Sequence, residues 1–503
     1  MVLDTQRVDR FSCYGYRRET TPQLDAFAAD STLYRYAFST AQWTMPSHAS
    51  MFTGEYPTVH TTIQSRSVLP DSLPTLAERL SSGGYFTAAF CNNPLVGVVN
   101  NGLRRGFVSF LNYAGLLTSR PNQAGQGSGV IGRYRQFFKR ILARLLGRIQ
   151  DSFARSDLLL ALSFTPLMAP IWQTALSFKG NTQKSLNDTA RLLINRKGVD
   201  AEQPVFAFVN LMGTHAPYHP PSRFIERFAP HINRDQHARQ YLRRFNNDVY
   251  GWLAPLNGPI AEAEKCTLDG IYDAEVARQD EQIGDFFVNL RASGALDNTL
   301  VMICADHGDH LGEKDLIGHS FGSYNELVHV PLIVRDPQGS LPRGSRRDDV
   351  VSTRRVFHTA LTAAGLAEGE ERAYSLVQNS GADPDQGVVF AEAWPPQNVV
   401  GMVQRRQPEL LERHRLDAPM LSVISGGHKL IQVGKTRQEL YSLHEDPGET
   451  LNLSDILPER VEELQDRLDL FVHSTVAAAP AVEREAEDDP RVRRRLYELG
   501  YLE

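Results

Sequence analysis

Thr40-Ala41-Gln42-Trp43-Thr44-Met45-Pro46-Ser47-His48-Ala49-Ser50 is the stretch whose reading decides the fold. It reads as a loop that ends in a hydroxyl residue and runs straight into a helix. Pro46 suits a first helical turn, where its missing N–H costs nothing, and small residues follow it. A hydroxyl at such a start lies beside backbone N–H groups that lack intrahelical acceptors, so the helix end is an anion cradle. Thr44 Oγ projected there can attack a tetrahedral oxyanion ester once its pKa is lowered. An unaided aliphatic hydroxyl ionises roughly 9 units above neutrality, which corresponds to about 12 kcal/mol. Hydrogen bonds alone do not cover that, whereas a divalent metal touching the oxygen covers much of it. The chain must then offer metal ligands at the ends of neighbouring strands.

Such residues stand on both sides of a long span. Val2-Leu3-Asp4-Thr5 reads as the end of a buried strand, which puts Asp4 at a carboxyl end, where open α/β sheets bind ligands. That strand is short against the usual five or six residues, so further residues of it are expected upstream of Met1. Far downstream, Leu300-Val301-Met302-Ile303-Cys304-Ala305 is a second buried strand delivering Asp306-His307-Gly308. Between them, Pro204 to Leu211 is a nearly continuous apolar run, as a buried parallel strand requires, and it leads into Gly213-Thr214-His215-Ala216-Pro217-Tyr218.

A chain of 503 residues buries a large core and holds one large domain with appendages, or two domains. With 22% charged residues and a net charge of -6 it has an ordinary soluble balance and no nucleic-acid signature, so no nucleic-acid partner is expected. Cys13, Cys91, Cys266 and Cys304 are scattered without CxxC spacing and read as buried free thiols rather than a disulfide framework. No signal peptide is visible, so the sequence as given reads as cytoplasmic, with a peripheral membrane association as the alternative.

Further elements follow from pattern. Thr21-Pro22-Gln23-Leu24 opens a helix running to Ala29, with Thr20 or Thr21 as its cap. Ser72 to Ala77 starts an amphipathic helix, Tyr85 to Phe90 reads as a strand and Gly102 to Phe110 as a loop. Ile271 to Phe287 is a helix whose Asp273 and Glu275 are expected in solvated or capping roles. Glu326 to Val334 reads as helix then strand, and Val350 to Gly365 as helix. In the last part, Val388 to Glu392, Lys429 to Ile431 and Glu439 to Leu443 are strand-like, Asp446-Pro447-Gly448-Glu449 is a turn, and Pro458 to Phe471 is helical. From about 115 to 180 lies an insertion. Within it, residues 133–149 keep a helical apolar period with Arg135, Lys139, Arg140, Arg144 and Arg148 between, the pattern of a basic amphipathic helix. That helix docks on the domain with a solvated basic face, lies on an anionic lipid surface, or covers an anionic substrate. Leu158 to Trp172 is apolar but broken by Pro166 and Pro170, too short to span a bilayer.

Asp4-Thr5, Ser12-Cys13-Tyr14-Gly15-Tyr16, Thr21-Pro22-Gln23-Leu24-Asp25 and Trp43-Thr44-Met45-Pro46-Ser47-His48 occur together in the order that resembles the opening of a sulfatase-family protein of the alkaline phosphatase superfamily. Asp306-His307-Gly308, Ile317-Gly318-His319 and the terminal Leu499 to Glu503 continue the resemblance over most of the chain, the basic insertion excepted. It implies an α/β fold, a large central mostly parallel sheet sandwiched by helices, with a small C-terminal α+β subdomain. The catalytic domain would cover residues 1–375, with the insertion at about 115–180, and the subdomain 376–503.

The resemblance also implies one site. Asp4, Asp306 and His307 would surround one divalent ion with Thr44 Oγ as further ligand and nucleophile. His215, in the family's His-x-Pro-Tyr loop, and His319 would bind the substrate or protonate the departing group, and His48 would line the anion pocket or pack at the helix start. Two carboxylates and an imidazole suit Zn²⁺ or Mn²⁺ better than the all-oxygen shell Ca²⁺ favours, with Ca²⁺ third.

Four departures narrow the chemistry. Typical sulfatases carry a cysteine or serine at the Thr44 position, which is oxidised to formylglycine; threonine would give a ketone instead of an aldehyde. His48 stands where an arginine is usual, Thr5 replaces a second carboxylate, and the Gly-Lys-x-His motif of many arylsulfatases is absent. The remaining pattern resembles the threonine-using phosphodiesterases and phosphoglycerol transferases of the superfamily. The leading expectation is therefore a metal-dependent hydrolase of an anionic phosphate mono- or diester. A sulfuric ester hydrolase working without formylglycine is the second, and a catalytically degenerate metal-containing binding protein the third. Substrate identity and oligomeric state are not encoded in these motifs.

Overall fold

The computed structural model describes residues 1–97, 99–114, 179–196, 198–248, 250–377 and 383–478. The basic helix expected at 133–149 and the apolar stretch 158–172 lie outside the described residues. In chain order the first strands are β1 (Val2–Leu3), β2 (Thr32–Phe38), β3 (Phe86–Cys91), β4 (Ser109–Asn112), β5 (Val205–Leu211), β6 (Val301–Ala305), β7 (His310–Leu311), β8 (Ile317–Gly318), β9 (His329–Arg335) and β10 (Ser345–Ser352). All but β7 and β8 form one eight-stranded sheet in the order β10-β2-β9-β6-β1-β5-β3-β4; β7 and β8 pair with each other. Every strand of the large sheet runs parallel to the rest except β9, which opposes both its neighbours.

Parallel strands must be covered on both faces, and their side chains alternate accordingly. Leu3, Phe90, Val209 and Ile303 point to one face, where α1 (Pro22–Ala28) and α3, the 31-residue helix Glu262–Ala292, add Leu24, Phe27, Ile283, Phe286 and Phe287. Val2, Cys91, Phe208 and Cys304 point to the other, against Ala49, Met51 and Phe52 of α2 (Thr44–Thr53). Each such large apolar side chain contributes about 1.5–3 kcal/mol on burial, so it is these two apolar layers that fix the sheet.

The register is what matters for chemistry. Val2 faces Cys304 and Leu3 faces Ala305, so the chain leaves β1 and β6 side by side, and Asp4 emerges next to Asp306. On β1's other side Leu3 faces Leu211 of β5, and beyond it Cys91 of β3 faces Asn210. Four adjacent strands therefore end at one edge.

Four expectations are corrected here. The stretch from Val350 is strand up to Ser352, paired with Tyr36, Ala37 and Phe38, and the helix is confined to Arg355–Ala363. Its β-branched start was read as a helix although it serves as the sheet's edge strand. The segment expected as loop from Gly102 becomes β4 from Ser109 on. Asp273 and Glu275 are neither solvated nor capping: both are wholly buried. Asp273 pairs with Arg18 at 2.7 Å and Arg10 at 3.3 Å, and Glu275 with Lys179 at 2.9 Å, because the loop after β1 and the segment before the Thr182–Asn195 helix cross α3 with their cations facing it. The four cysteines are free, as expected, with Cys266 exposed rather than buried.

A second sheet follows, an antiparallel meander of β11 (Val389–Ala393), β12 (Met420–Ser425), β13 (His428–Val433) and β14 (Arg437–Ser442). A helix, Pro458–Ala478, covers one face through Val461, Leu464, Leu468 and Phe471. Between the two sheets, Phe38, Leu327 and Val328 pack on Val389, Ala391, Ile424 and Leu443, and the Glu392 N–H donates to Thr40 O at 2.8 Å. No helix among the described residues is long and apolar enough to cross a membrane.

Candidate functional site

Thr44 opens α2. The residue before it, Trp43, is extended (φ -143, ψ 169), and its side chain makes no cap hydrogen bond to the first turn. Thr44 Oγ1 lies 3.3 Å from His307 Nε2 and accepts from Asn93 Nδ2 at 3.4 Å. Ser47 ties the same helix turn to the β6 end by donating to Asp306 O at 2.8 Å.

Asp4, Asp306 and His307 each offer one ligand atom, all within 4.8 Å of one another. The set is wholly buried. Asp306 Oδ1 accepts from its neighbour His307 N at 2.9 Å and from Thr5 N at 3.3 Å, while Asp4 Oδ2 accepts from Asn93 at 2.6 Å and Asn210 at 3.3 Å. The other oxygens, Asp4 Oδ1 and Asp306 Oδ2, are buried with no hydrogen-bond partner. A buried carboxylate oxygen without a donor is costly, and two of them converging with an imidazole nitrogen is the arrangement a divalent cation relieves. The donor set of two carboxylates and one imidazole fits such an ion.

The electrostatics agree. Burial, then the adjacent Asp306, push Asp4 up to about 7, and burial pushes Asp306 up to about 8. His307 Nδ1 donates to Gly308 O at 2.8 Å, which leaves Nε2 with its lone pair toward Thr44 and the carboxylates. Burial holds His307 below its ordinary value, so the ring is neutral, as a metal ligand must be.

His319 and His215 continue from His307 as a row of rings, with centroids 4.6 Å apart for His307 and His319 and 5.1 Å for His319 and His215. His319 Nδ1 donates to Asp309 Oδ1 at 3.0 Å, and Asp309 Oδ2 accepts from Tyr218 OH at 3.1 Å; His319 Nε2 is buried without a hydrogen-bond partner. His215 Nδ1 donates to Ala216 O at 2.6 Å. Burial first, and then a neighbouring histidine, lowers both, His215 to about 3.

His48 adjoins the cluster from beneath. Its Nδ1 donates back to Thr44 O at 2.9 Å, Nε2 accepts from Asn210 at 3.4 Å, and the ring meets Phe52 and Phe208 edge-on. It sits wholly buried beneath the helix start, 3.5 Å from Asp306 Oδ2, held neutral by burial.

The structure brings Asp4, Thr44, Asp306, His307, His319 and His215 to one edge and adds residues that the sequence reading passed over: Asn93, Asn210 and Asp309. Asn93 stands two residues past the end of β3, so the pair of asparagines after an apolar strand was the available signal. Asn210 breaks the apolar run of β5, and Asp309 stands two residues past a ligand. Thr214 Oγ1 and Thr5 Oγ1 both donate to Asp4 O, at 2.6 and 2.7 Å, and Thr5 takes a left-handed φ of 57° to do so. Thr5, at the position of the family's second carboxylate, thus fixes the backbone of Asp4.

Known proteins share this plan. The sequence model of the sulfatase family matches residues 1–366. An arylsulfatase of Clostridium perfringens (strain 13 / Type A) is 22% identical over 376 residues, covering 73% of this chain and 74% of its own. A choline-sulfatase of Rhizobium meliloti (strain 1021) is 21% identical over 457 residues, 86% of this chain and 77% of its own. Among solved structures, the phosphonate monoester hydrolase of Agrobacterium radiobacter superposes with a TM-score of 0.62 at 19% identity, over 94% of this chain and 95% of that one. At that identity the likeness shows the fold.

Proposed function

Because this chain belongs to the sulfatase family of ester hydrolases in the alkaline phosphatase superfamily, we propose that it cleaves an anionic phosphorus ester, a phosphate mono- or diester, with Thr44 as nucleophile. The observation that carries the reading is Thr44 Oγ1 at an uncapped helix start, 3.3 Å from His307 and beside two unsatisfied buried carboxylate oxygens.

Asp4, Asp306 and His307, with Thr44 Oγ1, would hold one divalent ion, Zn²⁺ or Mn²⁺ before Ca²⁺. When bound, it supplies the positive charge that lowers the hydroxyl pKa and draws electron density from the ester. Asn93 holds Thr44 Oγ1 and Asp4 together. Thr44 Oγ1 attacks phosphorus, its proton passing to a neighbouring base, while the first-turn amides of α2 receive the equatorial oxygens. His319 or His215, each neutral in the resting site with its proton on Nδ1, would first take up a proton on Nε2 and then give it to the departing oxygen. Water then attacks the phosphothreonine, expelling Thr44 and releasing phosphate or its monoester.

The named sulfatases among the relatives favour a second reading, hydrolysis of a sulfate ester by the same threonine. A binding protein without turnover is disfavoured by the complete Asp4, Thr44, Asp306 and His307 set. The test is turnover of chromogenic phosphate monoester, phosphate diester and sulfate ester with added Mn²⁺, Zn²⁺ or Ca²⁺, wild type beside Thr44→Ala. The expected outcome is phosphorus-ester activity reduced about 10³-fold or more in the variant. Sulfate turnover alone would replace this reading by the second, and metal binding without any turnover by the third.

A further inference from the structure

The backbone of the metal-ligating loop is set by a segment it does not belong to. Gly308 N–H donates to Leu327 O at 2.7 Å, and a Cβ on Gly308 would come within 2.0 Å of Glu326 O, so the turn after Asp306 and His307 lies directly on residues 326–327. Those residues belong to α4 (Asn325–Val328), a single helical turn. A turn this short does not hold itself, since nucleation is unfavourable without outside contacts.

The contacts come from β13 of the second sheet and from the turn that follows β14. Glu449 Oε2 accepts from Asn325 N at 2.6 Å, Asn325 Nδ2 donates to Pro447 O at 3.0 Å, and Lys429 Nζ of β13 donates to Asn325 Oδ1 at 3.1 Å. Lys429 and Glu449 pair at 2.8 Å with side chains wholly buried. Glu449 takes a left-handed φ of 52°, unusual for a residue with a β-carbon, in the turn that presents its carboxylate to Asn325. At the rim, Lys314 Nζ reaches Glu326 Oε1 at 2.9 Å and Gly448 O at 3.0 Å. Stability alone does not call for a buried ion pair here, because apolar residues of similar volume serve as well or better.

We propose that Lys429 and Glu449 are positioning residues: through Asn325 they fix α4, and α4 fixes the Asp306-His307-Gly308 loop in ligand geometry. This rests on the metal-centre reading above. The second sheet thereby sets metal affinity and turnover from outside the site.

The experiment is Mn²⁺ titration calorimetry, with thermal denaturation and kinetics, on wild type, the double variant Lys429→Met/Glu449→Met, and Asn325→Ala. The double variant is expected to fold with a metal-free Tm near wild type. Its Mn²⁺ affinity should fall by about 10- to 100-fold, the range for groups that support metal ligands, with kcat reduced more than KM is changed. A folded double variant with wild-type affinity would overturn the proposal. If the double variant does not fold, Asn325→Ala decides: weakened Mn²⁺ binding supports the linkage and unchanged binding overturns it. Wild type that binds no Mn²⁺, Zn²⁺ or Ca²⁺ would instead remove the metal-centre reading itself.

Discussion

Asp4 and Asp306 hold protons tightly while no cation stands between them, and that has a sign. Both are raised above the ordinary carboxylate value, to about 7 and about 8. In the metal-free protein their contribution to stability is therefore full below the unfolded value and is lost as pH rises through 7 to 8. A divalent ion reverses this, because it needs both groups ionised. The rise in Tm on adding Mn²⁺ is expected to be larger at pH 8.5 than at pH 6, by differential scanning fluorimetry; an equal rise at both would show that the carboxylates are not the ligands. Asn93→Ala, which removes one donor from both Asp4 Oδ2 and Thr44 Oγ1, should cost about 10- to 100-fold in kcat or metal affinity. Asp4, Asp306 and His307 were legible in the sequence because each follows a run of apolar residues. Asn93 was not, since asparagine before proline reads equally as an ordinary turn.

At the level of elements, the turn after β6 has the least tolerance. Gly308→Ala would drive a methyl group into Glu326 O, and the backbone rather than a flexible side chain would have to yield. A loss of about 1–3 kcal/mol is expected from urea denaturation, accompanied by weaker Mn²⁺ binding because Asp306 and His307 adjoin it. Strands β3, β5 and β6 and helix α1 were legible from apolar runs and a proline at the first helical position. Strand β10 was not, because Val350 and Val351 precede a genuine helix and an edge strand lacks the flanking polarity pattern that separates the two. Asp273 and Glu275 misled for the opposite reason: sequence shows two acids on a helix, while Arg10, Arg18 and Lys179, which pair with them, come from more than 80 residues away.

For the molecule as a whole, a bound ion is linked to folding. An ion present at a hundred times its Kd stabilises the native state by about 2.7 kcal/mol, so chelation of the metal-loaded protein should lower Tm, and refilling with Mn²⁺ should restore it. A chelator that leaves Tm unchanged would mean that Asp4, Asp306 and His307 hold nothing. The sheet architecture was legible from the motif order, whereas the link from the second sheet to the metal loop was not, because no local pattern relates Lys429 to Asn325.

The central place of β1 has one more consequence, which concerns time. Its neighbours are β5 and β6, and 301 residues separate Thr5 from the Asp306 carboxylate that its N–H contacts. At about 5–20 residues per second, roughly 15–60 s pass between their emergence from the ribosome. Through that interval β1 lacks β6 on one side, and β5, at Val205–Leu211, joins it on the other only in the later part. The proposed metal site is thus among the last features a nascent chain can complete, and a ribosome stalled before residue 300 would carry a chain without Asp306 and His307.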